Sequence, residues 1–261
     1  MRRRAITAAW GNHTGLPLQN ADTGAQGTKM IAIVDYGMSN LRSVRHAFEY
    51  LGAEARIVDT PDALQDARAI VLPGDGAFGP AMANLHARGW VAPLYDAMAR
   101  GMPFLGICLG MQLLFETSHE RGEHRGLGVL RGEVERFPDH AGKIPQIGWN
   151  QLRIHPRSRF LQGVRDGAFA YFVHSYYCEP GDTQVVAAQT EYGISYASAV
   201  EVGRIWGAQF HPEKSGDDGL RMLRNFLEMV NENATHGTQV IADAVRRTAS
   251  GGERDAGSSC A

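Results

Sequence analysis

Phe104-Leu105-Gly106-Ile107-Cys108-Leu109-Gly110-Met111-Gln112 runs from a short apolar strand into a second apolar stretch, with one cysteine between two glycines. A Gly-x-Cys-x-Gly spacing at that junction predicts a sharp strand-to-helix turn, a nucleophile elbow with cysteine in place of serine. Such a turn forces its central residue into strained backbone angles. The flanking glycines let the two arms approach without Cβ clashes. The thiol then lies at the N-terminus of a helix that begins Leu109, Leu113, Leu114, Phe115, whose dipole favours thiolate. The amide of Leu109 points toward whatever the sulfur attacks. A buried free cysteine between two packing glycines explains the same residues, so the motif needs a partner.

Working outward, the segments before the elbow alternate between strand and helix. Ile31 to Asp35 reads as a strand, and Leu41, Val44, Ala47, Phe48 and Leu51 recur at helical spacing until Gly52 stops them. Ala55–Val58 and Ala69–Leu72 are further strands, the second leading into Pro73-Gly74-Asp75-Gly76. Helical stretches around Ala81–His86 and Val91–Arg100 lead back to the elbow strand. After Gly126 the pattern is β-rich: Gly132–Phe137, Gly148–Ile154, Ala168–Tyr177, Val185–Gln189, Ala197–Val202 and Ile205–Phe210, closed by a helix over Leu220–Val230. The expected fold is α/β, a mostly parallel open sheet covered by helices on both faces, with a flanking antiparallel β region. One domain is expected over 30–230. Residues 1–29, basic through Arg2, Arg3, Arg4 and Lys29, read as a disordered extension, and 231–261 as a polar, disordered tail.

Composition excludes several classes. The 261 residues hold 26 Lys+Arg against 28 Asp+Glu, so a net charge of −2 gives no general affinity for nucleic acid or anionic membrane. No run approaches the roughly 18 apolar residues of a membrane-spanning helix. Cys108, Cys178 and Cys260 are odd in number and widely spaced, which suggests neither a disulfide framework nor a zinc knuckle. A reducing, cytoplasmic setting is expected, with no metal and no cofactor.

A thiol nucleophile needs a base. Of the ten histidines, His211 ends the run Ile205-Trp206-Gly207-Ala208-Gln209-Phe210 and is followed by Pro212-Glu213. Residues two apart in an extended segment share a side, so Glu213 can reach the ring directly or by bending at Pro212. It would fix the tautomer while the other nitrogen faces the thiol. His174, in Tyr171-Phe172-Val173-His174-Ser175-Tyr176-Tyr177, competes but has no acid at comparable spacing. The turn Gly74-Asp75-Gly76 lies at the carboxyl end of a strand neighbouring the elbow. An amide there can join that of Leu109 to hold an oxyanion, and an ordinary strand-to-helix turn explains the same residues equally well.

Gly106–Gln112 together with Phe210-His211-Pro212-Glu213 resembles the triad (class I) glutamine amidotransferases, which hydrolyse glutamine and pass the ammonia to a synthase. Asp35-Tyr36-Gly37-Met38-Ser39-Asn40-Leu41, Pro73–Phe78, Ile147-Gly148-Trp149-Asn150 and His211–Ser215 are similar to its histidine-pathway branch, the glutaminase subunits of imidazole glycerol phosphate synthase. The resemblance implies Cys108 as nucleophile, His211 as base and Glu213 as its orienter. It implies amides of Leu109 and, after a flip of the Gly74–Asp75 peptide, Asp75 as oxyanion donors. Gln112, Ser175 and Tyr176 would hold glutamine, with the carboxylate of Asp75 turned outward. Asn40, Trp149 and Lys214 would face the partner, a (β/α)8 cyclase subunit in a heterodimer. Glycine neighbours make both orientations of that peptide accessible, so the chain alone is expected to be a poor glutaminase switched on by its partner. Members that feed pyridoxal phosphate, purine, guanine or aminobenzoate synthesis are the near alternative. A non-catalytic relative with a redox-sensing cysteine is the distant one, and it would not need His211, Glu213 or Gln112.

Overall fold

The apolar runs that flank the elbow in sequence become its neighbours in the sheet. In the computed structural model the described residues are 30–38 and 40–232. The chain runs β1 (Met30–Val34), α1 (Leu41–Tyr50), β2 (Ala55–Val58), β3 (Ala67–Gly74), α2 (Phe78–Ala87), α3 (Val91–Ala99) and β4 (Phe104–Cys108) to the one-turn helix α4 (Leu109–Gln112). It continues through β5 (Phe115–Ser118), β6 (His124–Arg125), β7 (Leu130–Arg136), β8 (Gln146–Gln151), β9 (Arg153–Ile154), β10 (Phe169–His174) and β11 (Tyr176–Pro180). It ends with β12 (Val186–Glu191), β13 (Ser195–Val202), β14 (Ile205–Ala208) and α5 (Gly216–Asn231).

The main sheet has the order β2-β1-β3-β4-β14-β13-β11-β7-β5-β6, and β8 and β10 pair separately as an antiparallel ribbon. From β2 to β14 every neighbour is parallel; from β14 onward most are antiparallel. The parallel part is buried on both faces, as the continuous apolar runs predict. Alternate residues divide the core. Ile31, Ile33, Val71, Leu105 and Ile107 pack with Val44 and Phe48 of α1 and Leu223 and Phe226 of α5. Val34, Ile70, Leu72 and Phe104 pack with Phe78 and Leu85 of α2 and Leu94 and Met98 of α3. Each such side chain withdrawn from water contributes roughly 1.5–3 kcal/mol, so a one-residue register slip would misplace both cores at once.

Two expectations need correction. The helix after Cys108 is a single turn, and Phe115 begins a strand. The carbonyls that a longer helix would use are taken from outside: Leu127 donates to Leu113, Leu130 to Leu114 and Gly128 to Phe115, at 2.8–3.0 Å. The run 168–177 is likewise two strands, parted at Ser175. β10 pairs β8 while β11 crosses to β7, and the carbonyl of Ser175 accepts from Phe137 N–H at 3.1 Å. The last helix reaches Asn231; the expectations for 1–29 and for the tail from 233 lie outside the described residues.

The elbow depends on its glycines. A Cβ on Gly106 would meet the backbone of Gly110, its oxygen at 2.5 Å, and a Cβ on Gly110 would collide with the carbonyl of Leu72 on β3. Gly110→Ala should therefore cost more than ~4 kcal/mol in urea unfolding. Gly52→Ala, at a φ of +78 with nothing within 4 Å, should cost only ~1–2 kcal/mol. Similar losses at the two positions would contradict the packing argument.

Candidate active site

Cys108 sits at φ 54 and ψ −111, immediately before α4. Positive φ is unfavourable for any side chain bearing Cβ, and the surroundings over-determine it here. β4 is held between β3 and β14, with Gly74 opposite Cys108 and Ala208 opposite Ile107. This register decides the site. The Gly74 turn lies beside the sulfur on one flank, and the residues after Ala208 arrive on the other.

Those residues include His211, whose backbone is clamped. Its N–H donates to Tyr171 O at 2.9 Å, and its carbonyl accepts from Lys214 N–H at 3.0 Å and from Ser215 Oγ at 2.6 Å. Ser215 Oγ in turn accepts from Tyr171 N–H at 3.0 Å, tying the turn to β10. Pro212–Lys214 forms a 3-10 turn, and this turn, not strand alternation, brings the Glu213 Oε1 to 2.7 Å from His211 Nδ1. Asn40 Nδ2 donates to the same Oε1 at 2.7 Å and lies 3.2 Å from His211 Nδ1. Asn40 stands at φ 76 before α1, a left-handed conformation asparagine tolerates well. The residue expected at the partner-facing mouth is half-buried and donates to the Glu213 carboxylate.

The side chains of His211 and Glu213 are 2% and 0% exposed. Burial by itself lowers the pKa of the His211 ring. Its interactions with the Cys108 sulfur and the Glu213 carboxylate outweigh that and lift it to about 10. Nε2, the nitrogen Glu213 does not hold, is buried without a regular hydrogen-bond partner. A protonated ring beside a sulfur and backed by an acid can hold a thiolate and later release a proton to a leaving group.

His174 has the opposite environment. Burial drives its pKa down to about 4, although its Nδ1, 2.8 Å from Tyr176 O, partly opposes the shift. With Tyr196 Oη 3.3 Å from Nε2 it is a neutral core residue, not a base. The Tyr176 carbonyl also accepts from Gln112 Nε2 at 3.0 Å, and that amide donates again to Gln209 Oε1 at 3.0 Å. Gln209, which the motif reading did not single out, reaches Cys108 Sγ through its Nε2 at 3.7 Å. Tyr36, to which the sequence assigns no role, is fully buried, with an unpartnered hydroxyl where a Cβ on Gly74 would stand.

Of the remaining expected residues, Leu109 opens α4, and Asp75 is exposed beside Gly76 at φ 132. Ser175 and Tyr176 lie at the β10–β11 break. Lys214 is exposed on the turn after His211. Trp149 is 56% exposed, its ring 6.0 Å from that of Tyr171. Among the described residues, metal-ligand spacing occurs at His119, Glu133 and Glu135, on β7 and just past β5, with no residue shared with the elbow. No helix among the described residues is long and apolar enough to cross a membrane.

Comparison with known proteins is consistent along nearly the whole described chain. The family profile "Glutamine amidotransferase class-I" matches residues 32–230. The "Imidazole glycerol phosphate synthase subunit HisH" of Desulfitobacterium hafniense (strain Y51) is 51% identical over 207 residues, 79% of this chain and 97% of that protein. The subunit of the same name from Aquifex aeolicus (strain VF5) is 49% identical over 204 residues, 78% of this chain and 98% of that protein. Among solved structures, PurLQS from Thermotoga maritima shares the fold at a TM-score of 0.64 and 23% identity, covering 78% of this chain and 100% of its own.

The two histidines give a pH test. The folded His211 ring keeps its proton to about 10, whereas the unfolded ring releases it near 6.5. The stability this proton contributes is therefore complete below about 6.5 and is lost as pH rises toward 10. Urea midpoints of wild type and His211→Gln should converge across that window, and a gap that stays constant or widens would contradict the assignment.

Proposed function

This chain belongs to the class I glutamine amidotransferase family, and on that premise we propose that Cys108, His211 and Glu213 carry out the glutamine hydrolysis of an imidazole glycerol phosphate synthase in histidine biosynthesis. The observation that carries this reading is the His211–Glu213 pair, 2.7 Å apart and buried, in which the Cys108 sulfur and the carboxylate lift the His211 ring to a pKa of about 10. The Cys108 thiolate attacks the carboxamide carbon, and the tetrahedral oxyanion is held by the amide of Leu109 and, once its peptide turns, that of Asp75. His211 gives its proton to the leaving nitrogen, so ammonia departs and a γ-glutamyl thioester remains. Water then attacks the thioester, His211 accepts its proton, and glutamate leaves with the thiol restored. Neither step calls on a metal or cofactor.

Both N–H groups of Gln112 are spent on Tyr176 and Gln209, so its oxygen is the end that meets the amino-acid portion of glutamine, alongside the backbone of Ser175 and Tyr176. The partner in this reading is a (β/α)8 cyclase, in a cytoplasmic heterodimer. Ile147, Trp149 and Phe169 are 60%, 56% and 50% exposed on the β8–β10 ribbon, and Tyr171 of that ribbon holds the His211 amide. This apolar face beside the site, with Lys214 at its margin, suits a subunit that receives neutral ammonia before bulk water protonates it. Asn40, bound to Glu213, links the mouth to the catalytic acid.

Glutamine- and ammonium-driven synthesis with a cyclase partner tests this directly. Cys108→Ala should lose the first and keep the second; a variant that retained glutamine-driven synthesis would refute the nucleophile. In the wild type, partner and nucleotide together should raise glutaminase turnover by ~10²–10³-fold, the effect of one oxyanion donor. Equal rates with and without them would refute the switch.

A further inference from the structure

Gln209 is completely buried at the point where the chain leaves β14, level with Cys108 on β4. Its carboxamide has two distinguishable ends, and the network decides which faces the sulfur. The carbonyl of Tyr176 can only accept, so the group of Gln112 that meets it must be the N–H₂ end. The same nitrogen lies 3.0 Å from Gln209, and donor must meet acceptor, so Gln209 presents its oxygen there. Its nitrogen is thereby turned to Cys108 Sγ at 3.7 Å. The chain of directions starts at a backbone carbonyl that cannot reverse.

We infer that Gln209 is a catalytic residue of this site: its amide N–H hydrogen-bonds the Cys108 sulfur and stabilises the thiolate, in an orientation set by Gln112 and Tyr176. The inference rests on the reading of Cys108 as the nucleophile. A buried thiolate needs compensation, and a donor to a charged acceptor is worth more than one to a neutral acceptor. The titratable groups that act on Cys108 or are acted on by it are His211 from the turn after β14, Tyr36 from the loop after β1, Cys178 on β11 and Tyr196 on β13. Burial holds the last three neutral, so His211, backed by Glu213, is the cation. Gln209 adds a donor that never exchanges its proton with the ring. It therefore supports the thiolate before attack on the carboxamide, and again when hydrolysis of the thioester expels it.

The test uses the full chain with its cyclase partner and follows alkylation of the Cys108 peptide by iodoacetamide across pH, resolved by mass spectrometry. Gln209→Met keeps the length and removes the donor; it should move the alkylation midpoint up by about one pH unit and lower kcat/KM on the order of tenfold at neutral pH, with KM little changed. Gln209→Glu puts an acceptor against the sulfur and should move the midpoint further. A purely space-filling glutamine predicts no shift in the methionine variant, and an unshifted midpoint overturns the inference. Should neither variant fold, Gln112→Met, which frees the orientation of Gln209, must shift the midpoint in the same direction, and no shift there also overturns it. If Cys108→Ala keeps hydrolysing glutamine, the nucleophile reading fails first, whatever Gln209 does.

Discussion

The backbone of Cys108, held at φ 54 and ψ −111, is the constraint on which the other placements depend. Holding a non-glycine residue there costs ~1–3 kcal/mol, and the packed sheet supplies it. β4 cannot relax, because Gly106 and Gly110 press against each other and Gly110 against the carbonyl of Leu72. The same tightness sets the registers that bring Gly74, Gln209 and His211 around one sulfur. A looser elbow would lose the neighbours along with the placement of Cys108.

Environment separates two buried histidines of the same sheet system. His174 lies among Phe137, Phe172 and Tyr196 with a carbonyl and a hydroxyl for company, and its pKa falls to about 4. His211 is as deeply enclosed but faces a thiol and a carboxylate, and its pKa rises to about 10. Burial disfavours charge at both rings, and only specific partners reverse it. Asn40 donates to the carboxylate oxygen that faces the ring, which keeps Glu213 turned toward His211.

Local sequence carried the parts of the site that are local. Gly106, Cys108 and Gly110 mark the elbow because a turn that tight admits little else, and His211-Pro212-Glu213 holds imidazole and carboxylate within one turn. Short apolar runs alternating with helical stretches marked the parallel sheet covered on both faces. The end of the helix after Cys108 is not legible in sequence, because Leu113, Leu114 and Phe115 are equally apolar in helix or strand. Only their long-range partners, Leu127, Gly128 and Leu130, decide. Gln209, and the contact of Asn40 with Glu213, are hidden in the sequence for a related reason. Their partners lie 101 and 173 residues away, and nothing in their own neighbourhoods encodes a sulfur or a carboxylate. Ser175 shows the same limit, since an unbroken β-rich run gives no hint that its halves join different sheets.

The central claim is that the strained cysteine forms a bond to the substrate. Rapid quenching of the chain with its cyclase partner and glutamine, followed by mass spectrometry of the peptide containing Cys108, tests it most directly. The account predicts a γ-glutamyl adduct on Cys108 that is absent from Cys108→Ala and persists longer in His211→Gln. An adduct on another residue, or hydrolysis with no covalent species at Cys108, would contradict it.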